Sequence, residues 1–176
     1  MVYVGGLRDR LVSENVRLYV VSALTDLGWF NIPNALIQNS LIVVTGPLSN
    51  DTELLPNIVS ICAEDVRGTS AELGSNYTNY TWSYAIDVYA ESDGLGRHIV
   101  GDLRAILEGK FSSIGFSKPS IRIYDLTQAT PSYIFTVQVD SETIVSGKQK
   151  NWHHAYEKFW YTIVFDLIDT YGNETG

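Results

Sequence analysis

The chain has 176 residues and a formal net charge of −8, and 45% of its residues are hydrophobic. That length and hydrophobic content are typical of one packed globular domain, which we expect to span residues 1–176. No run of Lys or Arg provides the concentrated positive face that grips phosphates, so tight nucleic-acid binding is not expected. Cys62 is the one cysteine, which excludes an intramolecular disulfide and favours a small buried side chain.

The first predicted element is a helix from about Leu7 to Leu27. Its apolar side chains recur with the helical period at Val12, Val16, Tyr19, Val20, Ala23, Leu24 and Leu27. Gly28 follows directly and predicts the C-terminal stop of this helix. A short strand is predicted over Ser40–Thr45, and an apolar run predicts another over Asn57–Ala63.

A polar segment from Glu64 to Asn79, EDVRGTSAELGSNYTN, predicts a loop. At about 16 residues it is longer than most loops in compact domains, and such loops are usually functional or disordered. We interpret it, together with the loop around Asp51, as a connection that orders against a neighbouring molecule. Its acidic residues show no ligand spacing, so no metal site is expected there.

The best specified segment runs from Tyr80 to Lys110 and predicts a strand followed by a helix. Alternation places one set of side chains on a single strand face: Tyr80, Trp82, Tyr84, Ile86, Val88 and Ala90. The other face receives Thr81, Ser83, Asp87 and Glu91. The helix carries its apolar stripe at Leu95, Ile99, Leu103, Ile106 and Leu107. Ser92 or Asp93 is the expected N-cap.

Alternation predicts three more strands, over Ser120–Tyr124, over Tyr133–Val145 with a bend near Asp140, and over Phe159–Leu167. The last strand is partly apolar on both faces, which predicts a central position in the sheet or an interface. Residues 146–154 are expected to be a loop, and the tail from about Asp169 is expected to be frayed. The elements together predict an α+β fold, with a mixed, mostly antiparallel sheet and two main helices packed on one face.

The motifs of common enzyme classes are absent from the sequence: no nucleophile elbow, phosphate-binding loop or His-Glu-x-x-His occurs. His153 and His154 are adjacent and point in different directions on a strand or a helix, so they do not converge on a metal. Asp87 and Glu91 would lie about 13 Å apart on one strand, too far for a paired-carboxylate hydrolase. We therefore predict no enzyme and no catalytic, cofactor or metal residue. The alternative is a small enzyme that combines Asp87, Glu91, His98 and His153.

Aromatic residues are frequent, with eleven Tyr, six Phe and four Trp. Core filling explains part of them, but Tyr and Trp are also favoured at protein–protein contacts, so we predict oligomerisation. The interface candidates are Trp82, Tyr89, Trp152 and Trp160, the carboxylates Asp87 and Glu91, and Arg97 and Arg104. The two arginines are predicted to form intersubunit salt bridges, with a solvated helix surface as the alternative.

The order and size of the elements, and the segment VYAESDGLGRHIV from Val88 to Val100, resemble the tail terminator group of tailed bacteriophages. These are small neck and tail-completion proteins, and the resemblance covers most of the chain without a catalytic signature. It implies an α+β subunit that forms a ring, usually a hexamer, on the end of the tail tube. Such a ring stops tube polymerisation and provides the face that joins the head.

The resemblance also implies the partners and the location. The partners are further copies of the chain, the tail tube protein and head-completion or neck proteins, and DNA passes through the lumen without tight binding. The implied location is the virion neck, assembled in the host cytoplasm, without a cofactor. No apolar run reaches the roughly 18 residues of a membrane span, so no membrane contact is expected. The nearest alternative is another neck component, such as a head-completion or stopper protein.

Overall fold

The structure is a computed structural model that describes residues 5–30, 41–46, 57–70, 78–109, 119–149 and 159–169. Its elements in chain order are α1 (Gly5–Asp26), β1 (Leu41–Thr45), β2 (Asn57–Ser70), β3 (Thr78–Ala90), α2 (Asp93–Leu107), β4 (Ser120–Asp125), β5 (Ser132–Gln149) and β6 (Phe159–Asp169). The six described strands form one sheet in the order β1-β2-β3-β6-β5-β4. β1 is parallel to β2, and the other neighbouring pairs are antiparallel. The predicted α+β class with a mixed, mostly antiparallel sheet is confirmed.

α1 buries the predicted apolar stripe, and Gly28 follows its C-terminus. Its fully buried residues include Val12, Val16, Val20 and Leu24. At the C-terminus the Gly28 N–H donates to Thr25 O at 2.9 Å, and the Trp29 N–H donates to Leu24 O at 3.0 Å. Gly28 has φ +87°, a conformation that costs glycine little, so this pair of bonds closes the helix as predicted.

β3 and β6 are the central strands, and one face of them forms the middle of the core. The buried cross-strand pairs are Trp82–Leu167, Tyr84–Phe165, Ile86–Ile163 and Val88–Tyr161. Both helices contact this face. In α1 the Ser13 hydroxyl lies 2.9 Å from the Tyr84 hydroxyl, and in α2 Asp93 accepts a hydrogen bond from the Tyr161 hydroxyl. We name this the concave face, and the opposite side of the sheet the convex face.

The sheet curls around α1, since both edge strands contact that helix. In β1 the Thr45 hydroxyl donates to Glu14 at 3.5 Å. In β4 the Asn15 Nδ2 donates to Tyr124 O at 2.9 Å, and the Tyr124 N–H donates to Asn15 Oδ1 at 3.1 Å. The amide of Asn15 therefore occupies the place of a neighbouring strand. It satisfies backbone groups that an edge strand otherwise leaves open to another chain.

Arg8 lies between β3 and β5, just beyond the end of β6. Its guanidinium carbon lies 4.5 Å from the ring centre of Tyr80, 4.6 Å from that of Phe135 and 5.2 Å from that of Trp82. It also forms a 2.6 Å ion pair with Asp169, whose side chain is 2% exposed. The prediction that the frayed tail begins at about Asp169 is therefore wrong for this residue, because it is held in the core. The rest of that tail lies outside the described residues.

The largest departure from the sequence prediction is the segment 64–79, which was expected to be a loop. β2 continues to Ser70 and β3 begins at Thr78, so more than half of this segment is strand. Residues 71–77 lie outside the described part of the chain. The prediction failed because a register shift after Ala63 breaks the alternation, and because the described side chains of β2 beyond it are mostly exposed and show no polarity period.

β5 is also longer than predicted, since residues 146–149 continue the strand where a loop was expected. The predicted bend is confirmed by a register shift between Asp140 and Val145 in the pairing with β6. The Thr143 hydroxyl bridges this irregularity, donating to Asp140 O at 2.8 Å and accepting from the Asp166 N–H at 2.9 Å. β6 lies between β3 and β5, so its predicted central position is confirmed.

Candidate assembly surfaces

Trp82 is a core residue, so its predicted role at an interface is wrong. Its side chain is 0% exposed and stacks on Phe135 with ring centroids 6.0 Å apart. Its indole N–H donates to Asp9 at 3.1 Å. A ring enclosed in this way cannot reach a partner while the protein is folded. The alternation that placed it on the same strand face as Tyr84 was the signal for the core.

Tyr89 and Trp160 form a stacked pair on the convex face. They are cross-strand neighbours in β3 and β6, and their half-buried rings lie 5.7 Å apart at an interplanar angle of 14°. The Trp160 indole N–H donates to Asp87 Oδ1 at 3.0 Å, and the Thr162 hydroxyl donates to the same oxygen at 2.7 Å. Three of the predicted interface residues, Asp87, Tyr89 and Trp160, therefore form one ordered cluster that water partly reaches.

The convex face near this cluster holds protonated groups rather than a nucleophile. Burial raises the pKa of Tyr89 to about 12, and the nearby charge of Asp87 adds to the increase. Burial also raises the pKa of the Cys62 thiol, which lies 3.5 Å from the Ser60 hydroxyl. The thiolate is the reactive form of cysteine, and burial suppresses it here. The prediction that Cys62 is a small buried residue is confirmed.

Aliphatic side chains form an exposed strip on the convex face of β5 and β6. Val145 is 63% exposed, Val164 is 41% exposed and Ile168 is 38% exposed. Val145 and Val164 are direct cross-strand neighbours. An isolated exposed aliphatic residue is ordinary, but adjacent ones on one sheet face are typical of a contact surface. We name Val145, Val164 and Ile168 the convex strip.

Carboxylates border the convex strip. Asp140 and Asp166 occupy directly opposed positions in β5 and β6, where like charges repel one another. The Ser83 hydroxyl donates to Asp166 at 2.7 Å. Arg67 interacts electrostatically with Asp166, but its guanidinium forms its 2.9 Å ion pair with Asp65. The strip is therefore an aliphatic surface in acidic surroundings.

Arg97 and Arg104 lie on the exposed side of α2 and pair within the helix. Arg97 lies 3.0 Å from Asp93, and Arg104 lies 2.6 Å from Glu108 and 3.4 Å from the Ser146 hydroxyl. Exposed pairs at this spacing contribute about 0.3–0.5 kcal/mol. Such contacts suit a solvated helix surface, and the intersubunit role of both arginines stays a prediction.

A shallow groove of about 260 Å³ separates α2 from the end of β5. It is lined by Arg97, Val100, Ser146, Gly147 and Tyr161. Burial, with the neighbouring Asp93, raises the pKa of Tyr161 to about 12, so its hydroxyl remains a donor at neutral pH. Among these lining residues no nucleophile is paired with a base, and Val100 and the ring of Tyr161 make part of the groove apolar.

The four residues of the alternative enzyme site are not brought together by the described part of the fold. Asp87 lies on the convex face, whereas His98 lies on α2, which packs on the concave face. Glu91 is exposed just after β3, and its backbone N–H is bonded to Asn57 Oδ1 at 3.2 Å. His153 and the interface candidate Trp152 lie outside the described residues. Within the described ranges, no group of three or more metal-ligating side chains converges.

The convex strip contains residues that the sequence analysis did not select. Val164 lies on the second face of the last strand, whose sequence is partly apolar on both sides, and Val145 is the predicted end of the preceding strand. The signal was therefore present in β6, but exposure depends on which elements cover the sheet. That information is absent from the local alternation of side chains.

The fold and these surfaces together define a small α+β protein with a buried core on the concave face and a partly apolar, acidic convex face. No protein-family model matches the chain, and no curated protein does so either. Among the described residues, neither helix has an apolar stretch long enough to cross a bilayer.

Proposed function

We propose that this protein is a structural virion subunit, a tail terminator of a tailed bacteriophage that forms a ring on the tail tube and joins it to the head. The observation that carries the proposal is the convex strip. Val145 and Val164 are exposed, whereas the concave face carries a continuous cluster of buried apolar residues. Adjacent exposed aliphatic residues beside a fixed aromatic pair suit contact with another protein. The segment from Val88 to Val100 resembles tail terminators, and this resemblance is the reason for proposing a phage tail assembly.

A closed ring needs two different surfaces on each subunit that fit one another. The convex face is one, and the predicted size of the ring is a hexamer. Around its lumen, the net charge of −8 per chain suits a DNA channel, because carboxylates repel phosphates and leave the duplex free to slide. Tail tube protein on one side and neck proteins on the other are the remaining partners, and no cofactor takes part.

The first test is the mass of the native protein in solution, measured by light scattering during gel filtration. A hexamer has a mass of about 118 kDa, six times the 19.6 kDa of one chain. A protein that remains monomeric at every concentration would contradict the ring.

The second test separates a terminator from another neck component. Purified protein is mixed with tail tubes of the same phage and viewed by negative-stain electron microscopy. A terminator caps tube ends and prevents their further growth in the presence of free tube protein. Rings that leave tube growth unchanged would indicate a head-completion or stopper protein instead.

A further inference from the structure

Two paired strands extend past the end of β6 as a two-stranded ribbon, whose buried side carries Ile123 and Phe135. Val137 in β5 pairs both with Ile121 in β4 and with Asp169, the last residue of β6. Residues 122–125 and 132–136 therefore continue beyond the central sheet, and we name them the β4–β5 ribbon. We infer that the β4–β5 ribbon of one subunit packs on the convex strip of the next copy of this chain. The inference rests on the proposed function and specifies its ring contact.

The β4–β5 ribbon exposes an aromatic residue and an arginine. Tyr133 is 46% exposed, and its ring packs edge-on against Tyr124 with centroids 6.1 Å apart. Its hydroxyl lies 2.9 Å from the Thr136 hydroxyl, which holds the ring in one orientation. Arg122 is exposed on β4, on the side opposite the buried Ile123. Tyr and Arg are enriched among the residues that dominate binding energy.

The charge of Arg122 has no described carboxylate as a partner. The arginines that do pair with a described carboxylate are Arg8, Arg17, Arg67, Arg97 and Arg104. Arg10 and Arg122 are outside these pairs. Within the described residues, the exposed cation of Arg122 is therefore left for a carboxylate of another molecule.

The convex strip offers the matching chemistry. Asp166 lies beside Val164 along the strip, and the opposed Asp140 adds a second negative charge. A cation brought in from outside is attracted to Asp166, while Val145 and Val164 provide an apolar surface for Tyr133. The negative charge and the apolar surface of the convex strip therefore both point to a second copy of this chain as the occupant.

The contact is expected to use side chains rather than strand addition. Asn15 occupies the backbone groups of Tyr124 at the edge of β4, so a neighbouring strand cannot pair there. Arg122 and the convex strip lie on the same face of the sheet, so two copies can meet by a two-fold contact, which gives a dimer, or by a head-to-tail contact. The proposed ring requires the head-to-tail contact. Repeating a head-to-tail contact generates a ring when the rotation closes.

The test is a charge exchange between the two surfaces, with the native mass measured by light scattering over a dilution series. We expect Arg122→Glu and Asp166→Arg each to weaken assembly at least about tenfold, as expected for a close interfacial charge pair. The double variant restores the opposite charges and should recover most of the assembly. Arg10→Glu is the matched control, since Arg10 is also an exposed arginine without a described partner, and it should assemble like the wild type.

Several outcomes would overturn the inference while the proposed function stands. The first is that both single charge reversals assemble like the wild type. The second is that the double variant does not recover assembly, and the third is that Arg10→Glu dissociates as much as Arg122→Glu does. Rings that stay intact while tube capping is lost would place the tail tube protein on the convex strip instead. A monomeric wild type would contradict the proposed function itself. Thermal unfolding checks that each variant is folded. Tyr133→Ser tests the same contact without a change of charge, and it should also weaken assembly.

Discussion

The two faces of β3 and β6 carry aromatic pairs of similar geometry in different surroundings. On the concave face, Tyr84 and Phe165 lie 5.8 Å apart at 22°, fully buried under α1. On the convex face, Tyr89 and Trp160 lie 5.7 Å apart at 14° and remain half-buried. Stacking between neighbouring strands therefore does not by itself distinguish core from surface. What distinguishes them is the helix that covers one face.

This difference assigns the two pairs different roles in our proposal. The concave pair stabilises the subunit, because its rings are removed from water in the monomer. The convex pair gains less from folding of the monomer and would gain more when another molecule covers it. Variants on the two faces should therefore separate effects on folding from effects on assembly.

The largest expected effect comes from truncating matched tryptophans on the two faces. Trp82→Ala should lower the free energy of unfolding by about 3–5 kcal/mol, since it leaves a cavity against Phe135. Trp160→Ala should cost only about 1–2 kcal/mol, through the stack on Tyr89 and the bond to Asp87. Denaturant unfolding of both variants measures the difference. Equal losses would show that the convex tryptophan is a core residue as well.

The next effect compares a buried ion pair with an exposed one. Arg8→Ala removes the arginine partner of the buried Asp169 carboxylate and the contacts with three rings, and should cost about 3–5 kcal/mol. Arg97→Ala removes an exposed pair with Asp93 and should cost at most about 0.5 kcal/mol. Urea midpoints of the two variants test this order. A small effect of Arg8→Ala would mean that the space beyond β6 repacks without it.

These two comparisons also show which parts of the structure local sequence patterns can predict. The strand from Tyr80 to Ala90 and the helix after it were predicted to within three residues at each boundary, because their periodicity matches one-sided burial. Arg8 and Asp169 were missed because they are 161 positions apart in the chain. No local pattern links two residues at that separation. Asn15 did leave a signal, as a polar residue beside the buried Val12 and Val16.

The candidate site was predictable to a similar extent. Alternation placed Asp87 on the polar face of its strand and Trp160 on the second, partly apolar face of the last strand, and the structure pairs them. It also placed Trp82 on the same apolar face as Tyr84, which was the signal for the core, although a strand pattern does not reveal that a helix covers that face. It could not select Arg122 or Val145. Their exposure depends on where β6 ends and how β5 bends, and both are set by the pairing of distant strands.

A smaller effect is expected from alanine substitutions in α2, which test how closely this helix lies against the concave face. A methyl group at Gly96 would overlap the ring of Tyr161, whose hydroxyl is bonded to Asp93. Gly96→Ala should therefore cost about 1–3 kcal/mol through overpacking. Gly101→Ala, in the same helix with open space around it, should be neutral or stabilise by up to about 1 kcal/mol. Thermal unfolding gives both values, and a stable Gly96→Ala variant would mean that α2 can shift outward.

The smallest effect is the response of the two faces to alkaline pH. Burial raises the pKa of Tyr84 to about 12, whereas an unfolded chain releases the tyrosine proton near its ordinary pKa of 10. Because the unfolded state loses its proton first, the free energy of unfolding falls as the pH rises from about 10 towards 12. Tyr84→Phe cannot lose that proton. Between pH 8 and pH 11 the free energy of unfolding of Tyr84→Phe should therefore fall by about 1 kcal/mol less than that of the wild type.

Tyr89→Phe is the matched variant on the convex face. Burial raises the pKa of Tyr89 to about 12 as well, but its ring is half-buried, so water screens the effect in a single subunit. We therefore expect Tyr89→Phe to reduce the alkaline loss of stability by less than Tyr84→Phe does, in denaturant titrations at pH 8 and pH 11 under dissociating conditions. An equal reduction would mean that the convex face is already shielded in the monomer, and the distinction between the two faces would lose its physical basis.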